Sequence, residues 1–294
     1  MKSCDICPRN CCVDRLQDKK GFCKTGKKAK VYSYLKHHGE EPAISGKNGS
    51  GTIFFANCNL RCAYCQNFEF SQQGNGREVE EEELSSFMLE LQDEGCHNIN
   101  FVTPTHVVPQ ILKALILAID GGLKIPLIYN SSGYDSVDSL KLLDGVFDIY
   151  LPDARYADKG SSLKYSQAPD YPAINQAALK EMHRQVGVAG FDRKGIIKSG
   201  LIIRHLVLPH NLSGSKEIMR FIAQDLSPET YISLMSQYFP CYKAQDYPEL
   251  SRRLSQQEYR KAIDVMSRYG LHNGWTQDER GLDRFIGVNI KTNL

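Results

Sequence analysis

Residues 51–67 read GTIFFANCNLRCAYCQN and join a short apolar segment to three closely spaced cysteines. The apolar segment, residues 53–56, is rich in β-branched and aromatic residues and is typical of a buried strand. Cys58, Cys62 and Cys65 follow it in the spacing C-x3-C-x2-C. Three thiolates on one short loop can hold three corners of a cubane iron–sulfur cluster and leave the fourth iron without a protein ligand. The stretch therefore predicts a strand that ends in a cluster with one open coordination position.

Two simpler interpretations of the same cysteines are a zinc loop and three unrelated buried thiols. A zinc site takes four ligands, usually with a second C-x2-C or a histidine pair nearby. No such group occurs between Cys65 and Cys96. The spacing and its flanking residues therefore favour the cluster.

The composition limits the class of protein. Hydrophobic residues make up 41% and charged residues 24% of the 294 residues, with a formal net charge of +2. Such balanced values are typical of a globular chain and predict neither a nucleic-acid nor a membrane partner. No apolar run approaches the length of a membrane span, and the start of the chain carries Cys4 instead of an apolar signal core. We therefore expect a cytoplasmic protein, in which 10 cysteines indicate metal chemistry and not disulfides.

The N-terminal segment, residues 1–45, holds a second cysteine group. Cys4 and Cys7 form a C-x2-C pair, and Cys11 and Cys23 can complete a set of four ligands. Cys12 is a neighbour or a substitute for one of them. Structural zinc and an auxiliary iron–sulfur cluster both accept four thiolates, and a set of reactive surface thiols is the simplest alternative. The segment is too short for its own hydrophobic core, so a metal would stabilise it.

The remainder of the chain, residues 46–294, alternates between strand and helix patterns. Helices are predicted over residues 80–94, 107–119, 137–143, 173–186, 216–223 and 256–269. Strands are predicted over residues 53–56, 98–102, 125–129, 146–151, 200–208, 231–235 and 271–275. Strands separated by helices indicate βα units around a parallel sheet, and no G-x-G-x-x-G follows a strand. The predicted fold class is α/β.

The cysteine stretch, with Tyr64 before its last cysteine, resembles the signature of the radical S-adenosylmethionine (SAM) superfamily. Gln66 and Asn67, which follow the last cysteine, resemble the residues found at this place in the activating-enzyme branch of that superfamily. The N-terminal cysteines resemble the C-x-x-C-P-x-x-C leader of one branch of pyruvate formate-lyase activating enzyme-like proteins; there Cys12 is extra. The resemblance implies a partial (β/α)6 barrel over residues 46–294, including a C-terminal extension, behind a small metal-binding leader.

The resemblance also implies a reaction. A 4Fe-4S cluster on Cys58, Cys62 and Cys65 would bind SAM and cleave it with an electron from a low-potential donor such as flavodoxin or ferredoxin. The resulting 5′-deoxyadenosyl radical would take hydrogen from a protein or peptide substrate, as in glycyl-radical activation of a partner enzyme. Radical modification of a small molecule, and a non-catalytic iron–sulfur electron-transfer or metal-binding protein, are the alternatives.

Parallel βα barrels carry their chemistry at the carboxyl ends of the strands. Thr103 and Thr105 follow the second strand, where many superfamily members have a Gly-Gly-Glu-type turn that binds SAM; here there is no carboxylate. Asn130 and Ser131 match an N-[ST]-S-G-Y segment and are expected to contact SAM. Asp153, after the fourth strand, is expected to bind the SAM amino group, a substrate cation or a neighbouring arginine. Helix caps and turns explain the same hydroxyl and amide groups without a ligand.

Later strand ends add further candidates. Arg204 suits the carboxylate of SAM because its planar fork binds carboxylates in pairs. Tyr64 and Met235 are expected to line the cofactor pocket, although a methionine is equally common in an ordinary core. Cys241 is a candidate hydrogen donor or substrate thiol, against the alternative of a plain loop cysteine.

Overall fold

The structure is a computed structural model that describes residues 1–277. Its strands are β1 (Ala29–His37), β2 (Ser50–Phe55), β3 (Arg77–Val79), β4 (Ile99–Val102), β5 (Leu127–Asn130), β6 (Ile149–Tyr150), β7 (Gly190–Phe191), β8 (Ile197–Leu206), β9 (Tyr231–Met235) and β10 (Gly274–Thr276). Its helices are α1 (Pro42–Ser45), α2 (Phe68–Ser71), α3 (Glu81–Asp93), α4 (Val108–Asp120), α5 (Val137–Lys141), α6 (Lys159–Ser166), α7 (Tyr171–Val186), α8 (Ser215–Phe221) and α9 (Gln256–Arg268). A π-helical turn (Ile222–Leu226) continues α8, and short 3-10 turns lie at Arg15–Gln17, Pro209–Asn211, Ala244–Asp246 and Pro248–Leu250.

Parallel pairing dominates the sheet. Within residues 1–277 the strand order is β10-β9-β8-β6-β5-β4-β2-β1-β3, with β7 paired to β8. Every pairing from β2 to β10 along that order is parallel. At the other edge β1 runs antiparallel to both β2 and β3. The carboxyl ends of the parallel strands therefore meet at one rim, as expected for βα units.

Side-chain alternation along β2 separates the outer core from the interior of the curved sheet. Ile53 and Phe55 pack into the main core with the helices, whereas Phe54 packs on the opposite face with Val102. Every residue of β2, β4 and β5 is buried. Strands covered on both faces are typical of parallel sheets, and the interior face is the one available for a ligand.

Helix α3 shows why the helical predictions succeed. Its buried residues Leu84, Phe87, Met88 and Leu91 recur at the spacing of one helical face. Three glutamates occupy its first turn, where the helix dipole favours negative charge. The observed helix, Glu81–Asp93, differs from the prediction by one residue at each end.

The α/β fold class and the parallel βα arrangement are confirmed. Within residues 1–277 six strands and helices had not been predicted, namely β1, β3, β7, α1, α2 and α6. Strand β1 begins in a lysine-rich stretch, and α6 has the sequence KGSSLKYS, whose helix propensity is weak. Strand β1 pairs with β2, so the N-terminal 45 residues contribute to the sheet itself. No helix in residues 1–277 is long and apolar enough to cross a membrane.

Candidate functional site

The three cysteines lie directly beyond the end of β2. Asn57 makes the turn with a positive φ of 72°, a conformation that asparagine tolerates better than most residues. Its side-chain amide donates to the Thr25 hydroxyl at 3.2 Å. Cys58 and Cys62 are buried, and Cys65 is half-buried.

Each of the three sulfur atoms has a hydrogen-bonding neighbour. The Leu60 backbone N–H donates to Cys58 Sγ at 3.4 Å. Ser166 Oγ donates to Cys62 Sγ at 3.0 Å. Cys65 Sγ and Ser71 Oγ share a hydrogen bond at 3.0 Å. Hydrogen bonds to sulfur ligands are one of the means by which a protein sets the potential of an iron–sulfur cluster.

Burial makes these thiols hard to ionise without a metal. Together with the neighbouring Cys62 and Cys65, it raises the pKa of Cys58 to about 12. Burial and Cys62 likewise raise the pKa of Cys65. Metal binding requires thiolates, so a bound cluster would displace these protons and compensate the buried charge.

A chain of hydroxyl groups connects the aromatic residue of the loop to one of its cysteines. Tyr64 donates to the Tyr156 hydroxyl at 2.7 Å, and Tyr156 lies 2.7 Å from Ser166 Oγ. Because Ser166 donates to Cys62, the bonds can all point toward the sulfur. These hydrogen bonds hold the Tyr64 ring in one orientation beside the cysteines.

An interior cavity of about 150 Å³ opens next to the cysteine loop. Tyr64, Cys65, Asn130, Arg204 and Met235 lie on its wall, and so does Asp153. The cavity thus brings together residues from the ends of β2, β5, β6, β8 and β9.

Asp153 is the centre of a charge network on that wall. It pairs with Arg155, and its Oδ1 accepts from Arg204 Nε at 2.9 Å. Burial acts to raise the pKa of Asp153, but the Arg204 and Arg155 guanidiniums lower it overall, so the carboxylate stays ionised. Arg204 Nη2 also donates to Asn130 Oδ1 at 2.6 Å. The guanidinium is therefore engaged by the protein, whereas the sequence suggested SAM as its partner.

Arg155 joins this network to the cysteines. Its Nη1 lies 3.7 Å from Cys62 Sγ, and its Nε is buried without a hydrogen-bond partner. From the sequence it was expected only as the neighbouring arginine that Asp153 binds. Its position two residues beyond a strand-end aspartate was the available signal.

Three predicted cofactor residues are not on the cavity wall. The hydroxyls of Thr105 and Ser131 donate to the two oxygens of buried Asp135, at 2.7 and 2.6 Å. Thr103 has a positive φ of 62°, which is strained for a β-branched residue, and its N–H donates to the Asn130 carbonyl at 2.9 Å. Strain of this kind is often found beside functional sites.

The chain matches the family model of the radical SAM superfamily over residues 52–152. An uncharacterized protein of Methanocaldococcus jannaschii is 32% identical over 280 residues, which span 92% of this chain and 76% of that protein. A second uncharacterized protein of the same organism is 24% identical, over 89% of this chain and 80% of that protein.

Residues 52–152 therefore carry a radical SAM domain. That family implies a 4Fe-4S cluster and SAM as cofactors. A radical SAM methyltransferase from Sphaerobacter thermophilus has the same fold, with a TM-score of 0.57 at 14% identity over 81% of this chain and 68% of that one. The FeFe-hydrogenase maturase HydG from Carboxydothermus hydrogenoformans gives a TM-score of 0.53 at 13% identity, over 81% of this chain and 56% of that one. At such identities the likeness shows the fold alone.

The three thiols and the adjoining cavity fit the cofactors of the radical SAM superfamily. The thiols supply three ligands on one loop, each with a hydrogen-bonding neighbour, and the cavity begins at Cys65. Within residues 1–277 no three His, Cys, Asp or Glu side chains are arranged around a single metal ion. A cubane cluster spreads its cysteine ligands over different irons, so that observation does not bear on the cluster.

Cys241 lies beside the cluster loop but off the cavity wall. Its Sγ donates to the Tyr64 carbonyl at 3.4 Å, and its neighbour Cys65 contributes, after burial, to raising its pKa to about 12. The Lys243 N–H donates to the Ala63 carbonyl at 2.9 Å, which fixes this segment against the loop.

The leader brings four of its five cysteines together. A small closed cavity is lined by sulfur-bearing and apolar residues together with an arginine and a histidine, namely Cys4, Ile6, Cys7, Cys11, Val13, Arg15, Gly21, Cys23 and His106. Burial, together with the neighbouring Cys23, Cys11 and Cys4, raises the pKa of Cys7 to about 12. Cys12 is exposed and does not line this cavity.

The leader is docked against the cluster loop. Arg9 Nε donates to the Asn59 carbonyl at 2.9 Å, and its guanidinium stacks on Phe22 at 3.8 Å. The Arg61 guanidinium also lies over the Phe22 ring, 4.4 Å from its centroid. Arg61 Nη1 donates to the Cys58 carbonyl at 2.8 Å. The two cysteine groups are therefore held in one rigid arrangement.

Proposed function

We propose that the chain is an enzyme that uses SAM cleavage to take a hydrogen atom from a protein or peptide substrate. When bound, the cluster and SAM supply a 5′-deoxyadenosyl radical by one-electron reduction. The observation that supports this function best is that the cysteine loop, through Tyr64 and Cys65, lines a cavity whose wall also carries charged and amide side chains, namely Asn130, Asp153, Arg155 and Arg204. A non-catalytic electron carrier has no need of such a cavity.

The residues of the cavity would bind and orient SAM. Arg155 Nε and Asn130 Nδ2 are buried donors without protein partners, and both suit carboxylate or ribose oxygens. Asp153 holds Arg155 in place, and the Tyr64 ring closes the wall next to Cys65. The buried surroundings would exclude water from a reactive intermediate.

The test is anaerobic reconstitution with iron and sulfide, followed by reduction in the presence of SAM. We expect 5′-deoxyadenosine from the wild type, measured by chromatography. Production of none by fully reconstituted, reduced protein would reject the proposal. A low-potential flavodoxin or ferredoxin is the proposed physiological donor, and either should replace the chemical reductant.

Glycyl-radical activation of a partner enzyme is the more specific form of this proposal, supported by Gln66 and Asn67 after the last cysteine. Its measurement is a glycyl-radical EPR signal on the partner after incubation with the reduced enzyme and SAM. Hydrogen transfer to a substrate without such a signal would favour modification of another protein, a peptide or a small molecule.

We also propose that Cys4, Cys7, Cys11 and Cys23 bind structural zinc or an auxiliary iron–sulfur cluster. The four thiols line one small cavity, which supports a shared site, but no three of them surround a single ion, so a bound zinc would have to draw them closer together. Metal analysis of a variant with Cys58, Cys62 and Cys65 all changed to Ala distinguishes the two metals. Zinc in that variant indicates a structural site, about four irons indicate an auxiliary cluster, and neither would reject the site.

A further inference from the structure

The interior cavity has an acidic floor formed by Glu40 and Glu41, and Asn100 lies behind Glu40 as its hydrogen-bond partner. The two glutamates follow β1, whose last residue pairs with Ser50 at the start of β2. The cysteine loop follows the other end of β2. Both glutamates line the same cavity as Tyr64 and Cys65, so the cavity extends from the loop to this floor.

The hydrogen bonds of the floor leave acceptors free. Asn100 Nδ2 donates to Glu40 Oε1 at 2.9 Å, which fixes the orientation of the amide. Asn100 Oδ1 then has no partner, although the residue is fully buried. Glu41 is 5% exposed, and its Oε2 also lacks a partner. Buried polar atoms are nearly always paired, so the unpaired carboxylate oxygen of Glu41, a residue of the cavity wall, indicates a donor that the protein itself does not supply.

The charged groups of the cavity also indicate a missing cation. Its carboxylates are Glu40, Glu41 and Asp153, and its permanent cations are Arg155 and Arg204. Three carboxylates against two guanidinium groups leave an excess of one negative charge. His37 also lines the cavity, but burial lowers its pKa, so it does not supply the missing charge at neutral pH. Arg204 Nη1 is 3.6 Å from Glu40 Oε2, and Glu41 has no ion pair within residues 1–277.

We infer that the acidic floor binds a primary alkylammonium group of the substrate. An ammonium carries three donors, no acceptor and one positive charge, which match the free acceptors and the charge imbalance. Arg155 and Asn130 would hold SAM in the proposed function, which would leave the floor to the substrate. This inference rests on the proposed function, and it names the substrate class as lysyl peptides or small diamines.

A proton should leave when the ammonium binds. Burial raises the pKa of both Glu40 and Glu41, so each holds a proton to a higher pH than a free glutamate does. A cation beside the carboxylates lowers their pKa and releases that proton. Calorimetry in two buffers of different ionisation enthalpy measures this release.

The experiment uses the reconstituted protein with SAM under anaerobic conditions. The probes are 1,5-diaminopentane, the capped peptide Gly-Lys-Gly and its norleucine counterpart Gly-Nle-Gly. We expect the lysyl peptide or the diamine to bind at millimolar concentration with proton release, and the norleucine peptide to bind at least about tenfold more weakly. Preference for the peptide identifies a lysyl substrate, and preference for the diamine identifies a small amine.

Glu41→Gln should weaken binding of the preferred amine by about tenfold or more. Glu82→Gln, the same change at an exposed position on α3, is the matched control and should leave binding unchanged. Equal binding of lysyl and norleucine peptides, absence of any amine binding, or unchanged binding to a folded Glu41→Gln protein would overturn the inference. Proton release is measured on the wild type and does not depend on how a variant folds.

The two proposals fail separately. Formation of 5′-deoxyadenosine without amine binding would remove the inference and leave the proposed function. Amine binding without 5′-deoxyadenosine would remove the proposed function.

Discussion

The cluster loop and the leader both gather cysteines, but the two groups face different surroundings. Cys58, Cys62 and Cys65 lie next to a cavity with charged walls and unpaired donors. The four leader cysteines surround a small closed cavity whose other walls include Ile6 and Val13. Catalytic metal sites keep an open position, whereas structural sites are closed. The three loop cysteines lie beside a cavity of about 150 Å³, whereas the four leader cysteines surround one of about 10 Å³. The loop is therefore suited to a catalytic metal site and the leader to a structural one.

The largest expected effect separates the two groups directly. Cys62→Ala removes one cluster ligand, so we expect loss of the loop's iron and of SAM cleavage together. Iron analysis and 5′-deoxyadenosine formation measure the two losses. Cys12→Ala is the matched control, because Cys12 is exposed and outside both groups. Full SAM cleavage by Cys62→Ala would contradict the assignment of the loop.

A leader cysteine should affect stability more than SAM cleavage. Cys7→Ala opens the four-thiolate site, so we expect lower soluble yield and a lower Tm, by about 2–4 °C for each kcal/mol of lost stability. The 5′-deoxyadenosine yield per folded protein should fall less than substrate turnover does. Unchanged melting and turnover would show that the leader cysteines are only surface thiols.

A smaller effect should follow from the hydrogen bond to Cys62. Ser166→Ala removes the 3.0 Å donor to the sulfur and the end of the chain from Tyr64. Loss of a donor makes the reduced, more negative cluster less favourable, so we expect a lower reduction potential in an EPR-monitored titration. Ser162→Ala, on the same helix α6 but without a bond to sulfur, is the control. Equal potentials in both variants would mean that this bond has no influence on the cluster.

The smallest effect concerns the contact between the two regions. His106 is buried, lines the leader cavity, and its Nε2 lies 2.9 Å from the Ala56 carbonyl just before the cluster loop. Burial lowers its pKa from 6.5 to about 4.

Between those values the unfolded chain binds the proton and the folded chain does not. Stability is therefore fully present above pH 6.5 and falls as the pH approaches 4, by roughly 1.4 kcal/mol per pH unit. Urea unfolding of wild type and His106→Gln from pH 7 to 5 measures this slope. A slope that does not decrease in the variant would assign the acid sensitivity to another group, such as His205, whose pKa is also lowered to about 4 by burial.

Local pattern was sufficient for most of the parallel sheet. Strand β9, Tyr231–Met235, has the predicted bounds, and α3 has the predicted buried face. Strand β1 escaped prediction because AKVYSYLKH mixes lysines with apolar residues and follows a basic run. Beyond Val31 it pairs only with β2 among the described strands, and such an open side tolerates charged residues, which explains that composition.

The sequence by itself determined the chemistry of the cluster loop, because three cysteines within eight residues act through their spacing. It also indicated which strand ends to examine, since parallel strands share one rim. Only the tertiary structure decided the partners of those residues. Ser131 and Thr105 turn to Asp135, Arg204 is engaged by Asp153, and two glutamates from the β1 edge enter the cavity. Such contacts join residues distant in the chain, and their existence depends on the curvature of the sheet, which no local pattern encodes.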